Sequence, residues 1–187
     1  MATDSGHPRA LCVYCGSKAG QDGVYRADAE ALGRALVRRG LGLVYGGGNV
    51  GLMGALADAV LAEGGCVTGV IPGALEEREL AHRGLTELAV VEDMHARKAL
   101  MAARSQGFIA LPGGYGTLEE LFEAVAWSQL HIHGKPIGLL NSGGYYDHLV
   151  TFLDHAVDQG FLRPRHRELL KVSRDPDELV AQLAEEL

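Results

Sequence analysis

The sequence predicts an α/β protein of the Rossmann-like type, a doubly wound parallel sheet of about seven strands with helices on both faces. The first observation is that short apolar runs of strand length alternate with longer segments of helical periodicity along the chain. The second is that 26 of the 187 residues are glycine, about twice the average frequency of roughly 7%. Because these glycines gather at the ends of the apolar runs, they indicate tight turns rather than disorder.

Seven apolar runs are typical of strands, and they cover 10–15, 41–45, 66–71, 86–92, 107–111, 135–141 and 169–173. Helical patterns lie between them, and Gly40 is placed to end the first. Later patterns predict helices over 93–105, from Thr117 to about His131, and over 145–159. Asp175 before Pro176 predicts the start of a last helix. With no linker or low-complexity tract, we expect one domain over residues 1–187.

Charge and composition exclude several classes of function. The net charge of −7 argues against a nucleic-acid partner, whose phosphate backbone requires basic side chains. No apolar run approaches the roughly 18 residues of a membrane span, and the first residues lack a signal-peptide pattern. The three cysteines are odd in number and lie in strand-like runs, which fits a reducing compartment. We therefore expect a cytoplasmic protein with neither a nucleic-acid nor a membrane partner.

The turn PGGYGT, residues 112–117, has the composition of an anion-binding loop. Its glycines allow backbone N–H groups from Gly113 to Leu118 to approach one anion, and the following helix adds its positive dipole end. The Thr117 hydroxyl is a further donor. Because the turn has no P-loop lysine, a nucleoside triphosphate with magnesium is not the natural ligand. The alternative is a tight turn in which Thr117 caps the helix.

A second glycine turn, GGGNVG over residues 46–51, matches the dinucleotide fingerprint G-x-G-x-x-G. The fingerprint also requires an acid after the next strand, where this chain has Ile71, Pro72 and Gly73. We therefore favour a second backbone wall for the same small ligand, or close packing of a helix on a strand, over a dinucleotide site.

Charged residues near these turns are candidates for chemistry. Glu119 and Glu120 are expected in the first turn of the helix, with Glu120 facing the anion-binding loop and Glu119 facing solvent. The segment MHARK opens another helix at the same sheet edge, where Arg97 and Lys98 oppose the helix dipole. Such a local conflict favours a functional role, although ordinary solvated charges are the alternative.

Metal and serine-hydrolase chemistry find no support in the sequence. Cys12 and Cys15 lie three apart on a strand and therefore face opposite sides, and no second pair exists. His131 and His133 close a helix, where histidines interact favourably with the dipole. The serine elbow G-x-S-x-G does not occur.

Together, PGGYGTLEE, MHARK and GGGNVGLMG resemble the LONELY GUY family of cytokinin riboside 5′-monophosphate phosphoribohydrolases, whose motif is PGGxGTxxE. The resemblance runs from CVYCGS to about residue 160. It implies a Rossmann-like homodimer that needs no cofactor or metal. It also implies cleavage of the N-glycosidic bond of a nucleoside monophosphate, either AMP or N6-prenylated AMP, into free base and ribose 5-phosphate.

The resemblance also assigns roles to residues. Arg97 and Glu120 would be catalytic, and both would contact substrate. The remaining substrate-binding residues would be Glu79, Lys98, Gly113, Gly114, Tyr115, Gly116, Thr117 and Leu118. Two alternatives stay open: a pyridoxal-phosphate lysine decarboxylase, for which only Lys98 lies near the site, and a non-catalytic nucleotide-binding module.

Overall fold

A computed structural model of the protein describes residues 9–76 and 80–187, and its centre is a single all-parallel sheet of seven strands in the order β4-β3-β2-β1-β5-β6-β7. This confirms the predicted fold class and strand number. The strands are β1 (Ala10–Tyr14), β2 (Gly42–Tyr45), β3 (Val67–Pro72), β4 (Glu87–Val91), β5 (Gly107–Ala110), β6 (Ile137–Leu140) and β7 (Leu170–Ser173).

Helices connect the strands as crossovers. They are α1 (Gly23–Arg38), α2 (Gly51–Ala62), α3 (Met94–Ala103), α4 (Tyr115–Gln129), α5 (Asp147–Asp158), the short α6 (Pro164–Arg167) and α7 (Pro176–Ala184). As predicted, α7 has Pro176 at its first position and Asp175 as its N-cap, whose side chain accepts from two backbone N–H groups.

Each face of the sheet has its own core, and β1 contributes to both. Leu11 and Val13 pack with α1, α2 and α7, whereas Cys12 and Tyr14 pack with α3, α4 and α5. This division follows from the two-residue period of a strand, which sends successive side chains to opposite faces. A strand buried on both faces has no polar alternation, which explains the continuous apolar run at residues 10–14.

The strand order reverses between β1 and β5, and this switch point positions the candidate site. β1 pairs with β2 on one side and with β5 on the other, so the loops after β1 and β5 diverge at the carboxyl edge of the sheet. The two loops are joined by a hydrogen bond from Gly16 N to Pro112 O at 3.0 Å. A crevice therefore opens beside them.

Two predicted helix boundaries were wrong. α4 begins at Tyr115 with Gly114 as N-cap, two residues before the predicted start at Thr117. Because Gly116 lies inside the helix against its low helix propensity, the pattern placed the boundary too late. α5 begins at Asp147 instead of residue 145, because Gly143 and Gly144 adopt positive φ in a preceding turn. None of the helices over 9–76 and 80–187 has the length and apolarity that a membrane span requires.

Candidate active site

A cavity of about 340 Å³ lies at the carboxyl edge beside the switch point between β1 and β5. Its volume lies at the lower end of the range of small-molecule sites. Its walls come from the ends of β1 and β2, one face of α3 and the first turns of α4. The polar and glycine residues of the lining are Gly16, Ser17, Gly46, Arg97, Gly114, Tyr115, Gly116, Thr117, Glu119 and Glu120.

The amino end of α4 presents free backbone donors to this cavity. By helix geometry the N–H groups of residues 114–117 have no intrahelical acceptor, and Gly114 provides no side-chain cap. The cavity is lined by all four of these residues. The prediction that Leu118 N–H also faces the anion was wrong, because it donates to Gly114 O at 3.1 Å within the helix. Gly113 does not line this cavity either. The cradle, meaning the free N–H groups of residues 114–117, is therefore two residues shorter than predicted.

The glycines of the cradle serve two different purposes. A Cβ at Gly113 would lie 2.1 Å from Thr117 Oγ1, so this glycine allows Thr117 to pack underneath the turn. Thr117 is accordingly buried. A Cβ at Gly114 or Gly116 would meet no described atom within 4 Å. These two glycines therefore leave open space beside the free N–H groups.

Arg97 is a buried cation in the wall of the cavity, only 5% exposed. Its Nε donates to Val70 O at 3.1 Å and its Nη2 donates to Gly46 O at 2.8 Å. The carbonyls at the ends of β2 and β3 thus hold the guanidinium in place. Burying an arginine is costly unless its donors are satisfied. The two hydrogen bonds reduce that cost for Arg97, which also opposes the dipole of α3.

The Glu120 carboxylate and the Arg97 guanidinium both influence the pKa of one cavity residue, Cys15. Burial raises the pKa of the Cys15 thiol, the Glu120 carboxylate raises it further, and the Arg97 guanidinium lowers it. All three residues line the cavity. Because the thiol stays protonated, Cys15 is no thiolate nucleophile at neutral pH. The charged groups that line the cavity are the carboxylates of Glu119 and Glu120 and the guanidinium of Arg97.

Lys98 joins α3 to α4 beside the cavity. Its Nζ contacts Glu119 Oε1 at 2.5 Å and Glu123 Oε2 at 2.8 Å, and its side chain is 12% exposed. Lys98 does not line the cavity, so its role as a substrate contact stays a prediction. Although partial burial alone lowers the pKa of Lys98, the two carboxylates outweigh it and raise that pKa.

The two glutamates of α4 lie in its second turn instead of the first, because the helix begins earlier than predicted. Glu120 faces the cavity, as helical spacing indicated. Glu119 is half exposed, yet it also reaches the cavity wall, which the solvent-facing prediction did not include. Glu79, the remaining predicted substrate contact, lies outside the described residues.

The GGGNVG turn contributes one residue to the cavity wall, Gly46. Its last glycine serves packing, because a Cβ at Gly51 would lie 2.3 Å from the backbone carbon of Ser17. The close-packing interpretation thus applies at Gly51, against the loop after β1, and a ligand wall at Gly46 stays a prediction.

Sequence reasoning missed three groups of residues. Gly16 and Ser17 follow β1 and line the cavity, and their signal was the glycine directly after a buried strand. Met94 and Met101 also line it, and their spacing with Arg97 at i, i+3 and i+7 indicates one face of α3. Tyr145 gave no signal, although its hydroxyl donates to Gly113 O at 2.7 Å and supports the cradle from outside.

The fold and site define a class: a Rossmann-like α/β protein in which free N–H groups at a helix N-terminus, Arg97 and Glu120 line one cavity. A family model described as "Possible lysine decarboxylase" matches residues 53–183. The probable cytokinin riboside 5′-monophosphate phosphoribohydrolase LOGL2 of Oryza sativa subsp. japonica is 52% identical over 95% of this chain and 72% of its own length. The cytokinin riboside 5′-monophosphate phosphoribohydrolase LOG7 of Arabidopsis thaliana is 51% identical over 95% and 82%. The chain therefore belongs to the LONELY GUY family, which includes these two plant relatives and which its motifs resemble.

A solved structure supports the fold. The molybdenum cofactor carrier protein of Chlamydomonas reinhardtii superposes with a TM-score of 0.72 at 24% identity, over 96% of this chain and 99% of that protein. At this level of identity the likeness concerns the fold alone.

Proposed function

We propose that the protein is a cytokinin riboside 5′-monophosphate phosphoribohydrolase. It hydrolyses the N-glycosidic bond of an N6-substituted adenosine 5′-monophosphate, releasing the free base and ribose 5-phosphate. The observation that carries this proposal is the single cavity in which the free N–H groups of α4 meet the Arg97 and Glu120 charges. The names of the relatives supply the substrate class.

The cradle supports binding of the 5′-phosphate. Backbone N–H groups of residues 114–117 and the dipole of α4 favour a dianion at this position. The phosphate is remote from the bond that breaks, so its binding energy serves to hold the ribose against the charged pair. Thr117 positions the turn through its packing on Gly113.

Glu120 and Arg97 support the chemical step. As the bond between C1′ and the base nitrogen breaks, positive charge develops on the ribose, as in glycoside hydrolysis. The Glu120 carboxylate stabilises this charge or takes a proton from the attacking water, whose oxygen bonds to C1′. The departing base nitrogen accepts a proton. Arg97, fixed by two carbonyls, orients the substrate.

The apolar remainder of the cavity suits a purine with a hydrophobic substituent. Met53, Leu75, Met94 and Met101 line it together with the cradle. Methionine side chains adapt to irregular apolar ligands and make favourable contacts with aromatic rings.

The family description raises pyridoxal-phosphate chemistry, which the residues present do not fit. No lysine is found among the described residues that line the cavity. Lys98 is held by two carboxylates that raise its pKa, whereas a Schiff-base lysine needs a lowered one. We therefore derive no step through this cofactor. An absorbance scan of the protein mixed with pyridoxal phosphate should show no aldimine band.

The experiment that tests the proposal is incubation with N6-prenylated adenosine 5′-monophosphate and with AMP, followed by chromatography. We expect equal amounts of free base and ribose 5-phosphate. Binding without release of base would instead identify a non-catalytic nucleotide-binding module.

We further propose a cytoplasmic homodimer built from one domain over residues 1–187. The three cysteines are free, which suits a reducing compartment. An apolar groove of about 160 Å³ lies between α4 and the segment after α5, lined in part by Phe122, Val125, Leu153 and Leu162. A second copy of the chain is the occupant that we propose for it.

A further inference from the structure

A second cavity, of about 420 Å³, lies at the opposite edge of the sheet from the candidate active site. Its walls come from the connection before β6, from α6 and from the start of β7. Because all strands are parallel, these segments lie at the amino edge. The 15-residue helix α4 runs from one cavity to the other, which separates them by roughly 22 Å at 1.5 Å per residue.

The lining of this cavity is basic, although the protein as a whole is acidic. Six basic side chains contribute to it: His131, His133, Lys135, Arg165, His166 and Lys171. Two carboxylates, Glu168 and Glu186, lie among them, and Glu186 is paired with Lys171. Two cations therefore face one remaining carboxylate in a chain whose net charge is −7.

Neither Lys135 nor Arg165 forms an ion pair within the described part of the chain. Lys135 Nζ donates to the carbonyls of Ala102 at 2.5 Å and Ser105 at 2.6 Å, so its charge is hydrogen-bonded but not neutralised. Arg165 Nε donates to His166 Nε2 at 3.3 Å, which leaves its terminal N–H groups for another acceptor. The Arg–His contact also fixes His166 as neutral, with Nε2 accepting.

Burial and neighbouring positive charges both lower the pKa of two histidines in the cavity. For His133 burial is the largest cause, a hydrogen bond with the Ala124 backbone opposes it, and the Lys135 charge lowers the pKa further. Desolvation likewise lowers the pKa of His166, and the charges of Arg165, Arg163 and His131 add to this effect. An anion bound among these groups would oppose the neighbouring positive charges and raise the pKa of both histidines. Across residues 9–76 and 80–187 no cluster of His, Cys, Asp or Glu could hold a metal ion, so these histidines do not indicate a metal site.

We propose that this cavity binds a small phosphate-bearing anion, either inorganic phosphate or a phosphomonoester, between Arg165, Lys135 and His166. The guanidinium of Arg165 has the planar donor geometry that phosphate oxygens accept in pairs. Lys135 supplies a partly buried point charge, and the Nδ1–H of neutral His166 is a further donor. The proposal is independent of the reaction at the carboxyl edge.

The test is a nuclear magnetic resonance titration of the histidine side chains in the full-length protein, with and without inorganic phosphate. We expect phosphate to raise the pKa of His166 and of His133. Arg165→Gln should weaken phosphate binding by roughly tenfold, the effect of one charge-assisted contact. Arg163→Gln is the matched control, because it removes the same charge two residues away from a side chain outside the cavity lining.

Two results would overturn the proposal. One is a pKa of His166 that does not move at saturating phosphate. The other is equal weakening by Arg165→Gln and Arg163→Gln, which would indicate only a diffuse effect of net charge. Repeating the titration with glycerol phosphate separates the two ligand sources, since tighter binding than inorganic phosphate assigns the site to a phosphomonoester.

Discussion

Gly46 and Arg97 occupy one space at the wall of the cavity: a Cβ on Gly46 would lie 2.0 Å from Arg97 Nη2. The same glycine accepts a hydrogen bond from that nitrogen through its carbonyl oxygen. Gly46 therefore has two effects: its missing side chain leaves space for the guanidinium, and its carbonyl oxygen holds the guanidinium by a hydrogen bond. Because Gly46 and Arg97 are far apart in the sequence, this relationship exists only in the folded chain.

Gly46→Ala should therefore inactivate the protein through Arg97. The new methyl group displaces the guanidinium from its two carbonyl acceptors, and we expect kcat/KM for base release to fall on the order of 10²-fold. The measurement is the initial rate of base release, with a thermal melt to confirm folding. Gly23→Ala, whose Cβ meets no described atom within 4 Å, is the control and should keep full activity. An active Gly46→Ala variant would show that the position of Arg97 is not required.

Two neighbouring glycines of the cradle should respond differently to alanine. At Gly114 the methyl group points into open cavity space and φ is −95°, so we expect normal stability with a raised KM for the nucleotide. At Gly113 the methyl group meets Thr117 Oγ1, so we expect a lowered melting temperature. Unchanged KM and kcat for Gly114→Ala would show that Gly114 serves only the turn and does not contribute to substrate binding.

The two glutamates of α4 should separate in their effect on rate. Glu120→Gln keeps the shape but removes the charge beside the ribose, and we expect a loss of roughly 10²- to 10⁴-fold in kcat. Glu119→Gln leaves Lys98 paired with Glu123, so turnover should stay close to normal. Both variants are compared by initial rates and thermal melts. A dead Glu119→Gln with an active Glu120→Gln would reverse the assignment.

The 5′-phosphate should be essential for efficient turnover. If the N–H groups of residues 114–117 bind it, the corresponding riboside leaves a charge-assisted anion site empty. We expect kcat/KM for the riboside to be lower by on the order of 10²-fold or more. Parallel assays of riboside and monophosphate measure this ratio. Equal rates would show that the cradle does not bind the 5′-phosphate.

The proposed dimer should depend on the groove that contains Phe122. Phe122→Lys places a charge in an apolar contact, and we expect the sedimentation coefficient to change from that of a dimer to that of a monomer. Phe161→Lys is the control, because Phe161 is 92% exposed and does not line the groove. Dissociation by both variants, or by neither, would argue against this groove as the interface.

Local sequence patterns were enough to predict the class of the fold and most of the cradle. Seven apolar runs of strand length, separated by helical periods, admit few arrangements other than a covered parallel sheet. The turn PGGYGT follows β5 and opens α4, so local chemistry alone placed its N–H groups at a sheet edge. Helical spacing also turned Glu120 toward that edge.

Which side chains contact one another depends on how distant segments pack. Arg97 and Lys98 are neighbours in MHARK, yet one is buried on the carbonyls of Gly46 and Val70 and the other pairs with α4. Which face of α3 packs on β3 depends on the register of the whole sheet, and no local pattern contains that information. The same holds for the Tyr145 hydroxyl on Gly113 and for the six basic residues at the amino edge. Contacts between distant segments are set by packing, whereas a turn and its helix are set by the residues that form them.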